Sequence, residues 1–337
     1  MRKLQNTLYI TTQGTYLHKE RETLVIERER EKLLQIPVHS VGHIFCFGNV
    51  LVSPFLMGFC GENHVNLAFF TETGRYLGRL QGRQSGNVLL RRAQYRVSEL
   101  NPVPIARNII AAKIQASKRV LQRRQRNHGE HADIQQAIVA LNFSLDQLKV
   151  AKDLEKIRGI EGEAAARYFG VFQHLLAEKT GFVFDGRNRR PPRDGVNALL
   201  SFLYSVLGKD ISGALQSVGL DPQVGFLHAD RPGRDSLAQD LLEEFRAWWV
   251  DRMVLSLLNR GQISTKDFVD EASGAVNIKP ETRKLIFQSL QTKKQEKIVH
   301  PYLQEEVEIG LLPHIQAMLL ARHLRGDLAE YPPFLMR

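Results

Sequence analysis

The sequence predicts an α+β protein, with a small N-terminal β-sheet or sandwich domain followed by a larger all-helical domain. Residues 1–98 contain short segments of β-branched and aromatic residues between turn residues, which is typical of strands. Asn101-Pro-Val-Pro104 has two prolines in four residues, and these discourage regular structure. From Ile105 the apolar residues recur with a helical period. We therefore predict a β-rich domain at 1–98, a linker at 99–104 and a helical domain at 105–337.

The β-rich domain is predicted to contain at least two hairpins and one short helix. Its turns are placed by glycine, and proline is expected on an edge strand. The predicted elements are strands Leu8–Thr12 and Tyr16–Leu17 around a Gln13-Gly14 turn, strand Thr23–Glu27, edge strand Gln35–Val38, buried strand His43–Phe47, helix Ser53–Cys60, and a hairpin of Val65–Phe70 and Arg75–Leu80 around Glu72–Gly74.

Charge and cysteine content restrict the class of protein. The formal net charge of +10 favours a polyanionic partner, with nucleic acid first and an anionic membrane second. No apolar run is predicted to reach the roughly 18–20 residues of a membrane span, so a cytoplasmic protein is expected. Cys46 and Cys60 are too few for a disulfide framework, and both are interpreted as reduced core residues.

The helical domain begins with an amphipathic segment. Its apolar stripe consists of Ile105, Ile109, Ala112, Ala116 and Val120. A second helix is predicted at Ile134–Leu141. Ser144 with Gln147 has the form of a capping box, which predicts a third helix running toward Leu175 with a break near Gly159.

Three further features are predicted in the second half of the chain. A nearly all-apolar helix at 194–207 should be central to a bundle, with Asn197 buried and hydrogen-bonded. Trp248 and Trp249 are interpreted as core residues rather than as a base-stacking pair. The segment Tyr331–Arg337 is predicted to be extended, either disordered alone or docked on a partner.

Two basic segments are candidates for contact with phosphate. One is the Lys118–Arg126 end of the first long helix, which carries Lys113 nearer its start, and the other is the proline-containing Arg187–Arg193 loop. A basic helix face is often only solvated, but the net charge favours phosphate contact. The residues predicted to bind DNA are Lys118, Arg119, Arg123, Arg124, Arg187, Arg189, Arg190, Arg193 and Arg246.

The segment Gly225–Arg246 contains a candidate metal site. His228 precedes a Pro232-Gly233 turn, and Ser236 with Gln239 is interpreted as the capping box of a new helix. Asp240 and Glu243 are three residues apart and therefore share a helical face. Two carboxylates and an imidazole are suitable ligands for a divalent cation. The alternative is a solvated acidic face beside a structural histidine.

The segment 157–170 places Glu161 between Gly159 and Gly162, with three alanines following. Each glycine costs about 1 kcal/mol relative to alanine inside a helix. This cost suggests that a neighbouring helix or a ligand approaches the backbone closely, and tight helix packing with Glu161 in solvent is the alternative.

Other motifs are not interpreted as sites. The pairs His128/His131 and His39/His43 have metal-like spacing, but no second Cys or His pair lies at zinc-finger distance. The sequence has no Walker loop, dinucleotide fingerprint or nucleophile elbow.

Three segments in order resemble one family, the CRISPR-associated endonuclease-integrase that captures spacers, the first protein of the universal adaptation pair. They are Arg158-Gly-Ile-Glu-Gly-Glu-Ala-Ala, Asp194-Gly-Val-Asn-Ala-Leu-Leu-Ser-Phe-Leu-Tyr, and Gly225-Phe-Leu-His followed by Ser236-Leu-Ala-Gln-Asp-Leu-Leu-Glu-Glu-Phe-Arg. The resemblance extends over essentially the whole chain.

The resemblance implies a catalytic metal site of Glu161, His228 and Asp240. Glu243 supports the metal one turn later, with the adjacent Glu244 as the alternative. This ligand set favours Mg²⁺ or Mn²⁺. The implied reaction is phosphodiester cleavage, or strand transfer when a DNA 3′-hydroxyl is the nucleophile.

The resemblance also implies an assembly. The β-rich domain is expected to form a homodimer, and two such dimers flank a dimer of a small ferredoxin-like adaptation partner. The expected substrates are double-stranded DNA with single-stranded 3′ ends and the CRISPR array. Two alternatives are a structure-specific repair nuclease and a non-catalytic DNA-binding architectural subunit.

Overall fold

The computed structural model describes residues 6–63, 65–72, 76–80 and 88–336. Contacts divide the chain into two compact units. The first comprises Met1–Ser85, Lys279–Ile298 and Val307–Leu312, and the second comprises Gly86–Ile278, Val299–Glu306 and Pro313–Arg337. This division differs from the boundary predicted at 99–104, where Asn101 and Pro102 separate two helices of the second unit. The predicted fold class, a β-rich region followed by a largely helical one, is confirmed.

The first unit contains two four-stranded sheets. Its elements are strands β1 (Asn6–Ile10), β2 (Thr15–Glu20), β3 (Thr23–Arg28), β4 (Glu31–Pro37), β5 (Val41–Phe47) and β6 (Val50–Val52), helix α1 (Pro54–Glu62), and strands β7 (Asn66–Phe70) and β8 (Tyr76–Arg79). The sheet orders are β1-β5-β7-β8 and β4-β3-β2-β6. One apolar core includes Leu17 and Leu24 from one sheet and Ile44 and Leu67 from the other.

The hairpin predicted at Gln13-Gly14 is wrong. Strand β1 pairs in parallel with β5, whereas β2 pairs with β3 and β6 in the other sheet. The Gln13 side chain instead donates from Nε2 to Phe47 O at 3.0 Å and accepts from Asn49 N at 2.6 Å. These contacts bind the turn to the β5–β6 connection, so the chain passes from one sheet to the other there.

The remaining predictions for this region agree with the structure. Strand β4 is an edge strand ending at Pro37, β5 is an interior strand, and Ser53 caps α1 by accepting from Leu56 N. Strands β7 and β8 pair antiparallel, while turn residues 73–75 lie outside the described residues. Cys46 and Cys60 are buried free thiols, and burial raises the pKa of each to about 12.

The second unit is mainly helical. Its helices are α2 (Val88–Leu100), α3 (Val103–His128), α4 (Ala132–Val150), α5 (Leu154–Gly170), α6 (Gly195–Ser217), α7 (Ser236–Phe245) and α8 (Arg252–Asn259), with a π-helical segment Arg246–Asp251 joining the last two. Strands β9 (Phe268–Asp270) and β10 (Val276–Ile278) form a small hairpin, followed by α9 (Pro280–Gln295), strands β11 (Lys297–Val299) and β12 (Glu306–Glu308), and α10 (Leu312–Leu324). All five residues of the stripe predicted on α3 are buried.

Helix α9 belongs to the first unit, although the sequence placed it with the helical domain. Its Phe287 stacks on Tyr9 of β1 at 4.1 Å between ring centroids and tilts against Phe47 at 4.9 Å. These aromatic contacts explain why the late helix joins the β-rich unit.

The helix boundaries predicted around residues 144–175 are wrong. Ser144 lies inside α4, where it is buried and its hydroxyl donates to Ala140 O at 3.1 Å. The helix continues because Leu141 and Leu148 extend one buried face. Asp153 caps the next helix by accepting from Lys156 N, and Gly159 lies within α5 without a break.

Helix α6 is the central apolar helix that was predicted. Asn197 is fully buried; its Oδ1 accepts from Arg187 and Asn188 N, and its Nδ2 donates to Gly186 O and Asp194. By length and composition α6 could cross a membrane, contrary to the expectation that no run would reach that length. Most of its residues are buried against the rest of the chain, so its apolar character is that of a core helix.

The C-terminal segment packs against its own chain. Tyr331 and Phe334 are buried, and the Phe334 ring lies 4.8 Å from that of Trp248. The Tyr331 hydroxyl and Phe334 N donate to Glu244 at 2.6 and 2.7 Å. The C-terminal segment was predicted to be either disordered or docked on a partner, and it is instead ordered against its own chain. Trp248 and Trp249 are buried, which confirms that they are core residues.

We predict that Phe334→Ala destabilises the protein by about 3–5 kcal/mol, because it empties a buried aromatic site beside Trp248. Leu335→Ala is the matched control: Leu335 is 37 % exposed, and its truncation should cost within about 0.5 kcal/mol. Urea unfolding followed by tryptophan fluorescence measures both. Equal midpoints for the two variants would contradict the packing of this segment.

Candidate functional site

Asp240 of α7 organises the loop that carries His228. The Asp240 carboxylate is fully buried; its Oδ2 accepts from Phe226 N at 2.6 Å and Leu227 N at 3.0 Å. Its Oδ1 accepts from His228 N at 3.0 Å and lies 2.6 Å from His228 Nδ1. With the proton on Nδ1, this contact is a hydrogen bond and leaves Nε2 with a free lone pair.

Gly225 permits this arrangement. A Cβ at residue 225 would lie 2.8 Å from Asp240 Oδ2 and 3.1 Å from the backbone of Ser236. No side chain fits in that space without moving the carboxylate or the start of α7. The glycine is therefore required by close approach of the loop to the helix.

Helix α7 begins at Ser236, as predicted, but not through the predicted capping box. Asp235 is the N-cap residue and makes no side-chain cap. Its carboxylate accepts from Lys209 at 3.1 Å and Ser212 at 2.9 Å, while the Ser236 hydroxyl donates to Ala229 O at 3.1 Å. These side chains fix the His228 loop to α6 and α7 instead of capping the helix.

Glu161 and Glu243 converge on Lys113. The Lys113 ammonium donates to Glu161 Oε1 and lies 2.7 Å from Glu243 Oε2. Arg246 Nε lies 3.1 Å from the same Glu243 oxygen. Three helices, α3, α5 and α7, thus bring two acids around one positive charge.

The charges around Glu243 keep it ionised. Burial opposes ionisation, but Arg246, Lys113 and His228 together lower the pKa of Glu243 to about 2. Asp240, which holds the His228 imidazole, lies three residues before Glu243 on α7. Glu161 and Glu243 therefore border one region that is occupied by the Lys113 ammonium, while Asp240 contacts the loop that carries His228.

Glu244 belongs to a different environment. It accepts from Gln316 at 2.9 Å, from Tyr331 and from Phe334 N. Burial raises its pKa to about 7. All of these contacts involve the C-terminal segment and α10. Of the two acids predicted as alternatives for supporting a metal, Glu243 is therefore the better candidate.

A cavity of about 350 Å³ adjoins Lys113 and Glu161. Arg187, Arg189 and Arg246 contribute positive charge to its lining. Asp251 also lines it and accepts from the hydroxyls of Tyr168 and Tyr204. Burial raises the pKa of Asp251 to about 6. The arginines give the cavity the charge expected for a phosphate-bearing ligand.

The residues predicted to bind DNA fall into two groups. Arg123, Arg189, Arg190 and Arg193 are exposed, and Lys118 and Arg119 are partly buried. The other three are engaged within the protein: Arg124 donates to His174 O, Arg187 to Asn197 and Ser201, and Arg246 pairs with Glu243. The exposed group is free to contact phosphate without breaking these interactions.

Lys113 is a residue of this region that sequence reasoning misses, because the sequence places it on the basic face of its helix. Its side chain is only 13 % exposed, because both acids enclose the ammonium. No local sequence pattern pairs it with Glu161 or Glu243, which lie on other helices.

Comparisons with known proteins agree with the resemblance found in the sequence. The family model described as CRISPR associated protein Cas1 matches residues 8–292. The CRISPR-associated endonuclease Cas1 1 of Chlorobaculum tepidum is 49 % identical over 343 aligned positions, covering 100 % of both chains.

Two solved structures have the same fold. A casposase bound to its integration product is 25 % identical with a TM-score of 0.83, covering 98 % of this chain and 95 % of that one. A Cas6-RT-Cas1–Cas2 complex contains a chain that is 21 % identical with a TM-score of 0.83, covering 99 % of this chain and 36 % of that one.

The fold and the relatives define a CRISPR-associated nuclease. The chain belongs to the Cas1 family.

We predict that Asp240→Asn disturbs the tautomer of His228, because the amide donates on one side where the carboxylate accepts on both. In the wild type at pH 8, ¹⁵N–¹H correlation of histidine side chains should show His228 protonated at Nδ1. The variant should show a mixture or the Nε2–H form.

Asp230→Asn removes an exposed acid two residues after His228 and should leave the spectrum unchanged. An unchanged His228 spectrum in Asp240→Asn would contradict the orienting role of Asp240.

Proposed function

We propose that this protein is a metal-dependent DNA endonuclease and integrase, which inserts short DNA fragments into a CRISPR array by transesterification at phosphodiesters. The observation that carries the proposal is the pair of acids, Glu161 and Glu243, around the Lys113 ammonium, with His228 held by Asp240 on the helix that carries Glu243. Membership of the Cas1 family supports the same reaction class.

The residues fit a divalent cation. The Lys113 ammonium lies between the carboxylates of Glu161 and Glu243, which shows that both acids can share one positive charge. We infer that a divalent cation can bind to the same two carboxylates. Two carboxylates with one imidazole Nε2 suit Mg²⁺ or Mn²⁺. We assign Glu161, Glu243 and His228 to the ion. Asp240 orients His228, because its oxygens already receive N–H groups from the loop.

When bound, the ion would polarise the scissile phosphate and offset the charge that develops on its oxygens. Lys113 contributes a second positive charge beside both acids, and Arg246 keeps Glu243 ionised. Arg189 in the adjoining cavity is suited to a neighbouring phosphate. Lys113 and Arg246 are positioned by helices before any substrate arrives, which lowers the cost of reorganisation.

The nucleophile decides the product. If a DNA 3′-hydroxyl attacks, its oxygen forms a bond to phosphorus, its proton passes to solvent, and the 3′-oxygen of the target strand leaves. If water attacks, the same P–O bond breaks and the strand is nicked. We favour strand transfer because the family resemblance and the casposase with its integration product both point to integration.

We further propose the partners implied by the family. These are double-stranded DNA with single-stranded 3′ ends, the CRISPR array, a second copy of this chain, and the small ferredoxin-like partner, in the prokaryotic cytosol or nucleoid. The Cas1–Cas2 complex of like fold supports the small partner. The alternatives, a repair nuclease and an architectural DNA-binding subunit, predict no preference for array DNA and no dependence on the acids, respectively.

We predict that Glu161→Gln, Glu243→Gln and His228→Asn each abolish joining of a 3′-hydroxyl duplex to supercoiled array DNA. Each variant removes one proposed ligand, and such losses typically cost at least 10²-fold in rate. The assay contains the small adaptation partner and Mn²⁺, and joined products are separated on a denaturing gel.

Glu163→Gln is the matched control, since Glu163 is an exposed acid on the same helix as Glu161. It should react at the wild-type rate. Wild-type rates in the folded Glu161 and His228 variants would reject the site, and equal joining to a branched duplex without array sequence would favour the repair nuclease.

We predict that the triple variant Arg189→Gln, Arg190→Gln, Arg193→Gln binds duplex DNA with a weaker salt dependence. Each lost phosphate contact should reduce the slope of log K against log salt by about 0.9, so three contacts reduce it by about 3. Fluorescence anisotropy over a series of salt concentrations measures the slope.

The control removes three exposed arginines elsewhere in the same unit, Arg260, Arg322 and Arg325. It changes the net charge by the same amount and should alter the slope much less. Equal slopes for the two triple variants would assign the effect to net charge rather than to the loop.

A further inference from the structure

Outside the nuclease site, His131, Asp133 and His174 form a cluster with one potential ligand atom each. The two imidazoles and the carboxylate are close enough to share one ion, because their potential ligand atoms all lie within 4.8 Å of one another. The His128/His131 pair in the sequence gave no metal site, because its second histidine has its partners elsewhere in the fold.

Three local features build the cluster. His131 is the N-cap residue of α4 and has an extended backbone, with Asp133 following in the first turn. His174 lies on the 3₁₀ turn Phe172–Leu175 that follows α5. Arg124 of α3 donates from Nε to His174 O at 3.0 Å and thereby fixes that turn.

The distances suit a small coordination sphere. Asp133 Oδ2 lies 3.4 Å from His174 Nε2 and 3.9 Å from His131 Nδ1, and the imidazole centroids are 4.0 Å apart. Tetrahedral coordination with bonds of about 2.0–2.1 Å places ligand atoms roughly 3.3 Å apart. The two distances from the carboxylate to the imidazoles exceed this spacing by about 0.1 and 0.6 Å, and every pair of the three ligand atoms lies within 4.8 Å.

The His131 Nδ1 atom is an independent indication. It is buried and has no hydrogen-bond partner among the described residues, although the side chain as a whole is 36 % exposed. A buried ring nitrogen without a partner costs stability. A bound ion would satisfy it, and the carboxylate of Asp133 disfavours an anion such as phosphate at the same place.

We propose that His131 Nδ1, Asp133 Oδ2 and His174 Nε2 bind a Zn²⁺ ion, with water or a buffer ligand completing its coordination. Two imidazoles and one carboxylate favour zinc over Mg²⁺, which prefers oxygen ligands. The ion joins the start of α4 to the turn after α5. Its role is structural, because these helices pack with α3, which carries Lys113, and α5 carries Glu161.

The test uses the full chain after removal of metals with a chelator. The double variant Glu161→Gln/His228→Asn weakens the proposed nuclease site, so Co²⁺ bound tightly in this background belongs to the cluster. We expect one equivalent of Co²⁺ with the visible absorption of a four- or five-coordinate ion. Adding His174→Asn or Asp133→Asn should abolish that absorption.

A second measurement is the thermal midpoint with and without Zn²⁺. Zinc should raise the midpoint of the double variant but not after either substitution in the cluster is added. His323→Asn, which removes a half-buried histidine elsewhere in the same unit, is the control and should retain the effect. Circular dichroism checks that the variants are folded.

Unchanged Co²⁺ absorption after His174→Asn, or no bound Co²⁺ in the double variant, would overturn the proposal and leave an ion pair between Asp133 and the histidines. These outcomes are separate from failure of the nuclease site. If that site binds no ion, the wild type and the double variant bind the same number of Co²⁺ equivalents, whatever the cluster does.

Discussion

The buried carboxylate of Asp240 is the interaction on which the site depends. A buried charge is costly unless hydrogen bonds replace its hydration, and here three backbone amides and one imidazole do so. Their common acceptor fixes the loop against α7 and requires Gly225 at the point of closest approach. Because the same helix carries Glu243, one carboxylate fixes the position of His228 relative to the next acid.

The second constraint is charge balance between helices. Glu161 and Glu243 need a cation, and Lys113 supplies it from α3, with Arg246 beside the same oxygen of Glu243. Removing one partner from such a group typically costs about 3–5 kcal/mol, since a buried charge is left unpaired. Either an ammonium or a divalent ion can balance the negative charge of these two acids. Lys113 is therefore part of the site rather than of a solvated helix face.

The sequence predicted the helices and the acids better than the contacts they make. Helical spacing placed Asp240 and Glu243 on one face, and this is correct. The same spacing cannot show that Asp240 contacts a loop while Glu243 faces Lys113, because those partners come from other segments. Local capping patterns also failed at two serines: the Ser144 hydroxyl donates to Ala140 O one turn earlier in α4, and the Ser236 hydroxyl donates to Ala229 O in the preceding loop. The sequence also could not pair His174 with His131, because these two histidines lie on different segments that only the fold brings together.

Glu243 and Glu244 show how partners decide the state of two adjacent, equally buried acids. Charged partners lower the pKa of Glu243 to about 2, so its stabilising effect is present above its unfolded pKa near 4.5 and is lost as pH falls toward 2. Glu244 has only neutral donors, and burial raises its pKa to about 7. Its contribution to stability is largest below pH 4.5 and decreases as pH rises to 7, because the folded protein retains a proton that the unfolded chain releases. The ionised acid of the pair therefore lies beside Lys113 and Arg246, and the acid that burial keeps protonated up to about pH 7 joins α7 to the C-terminal segment.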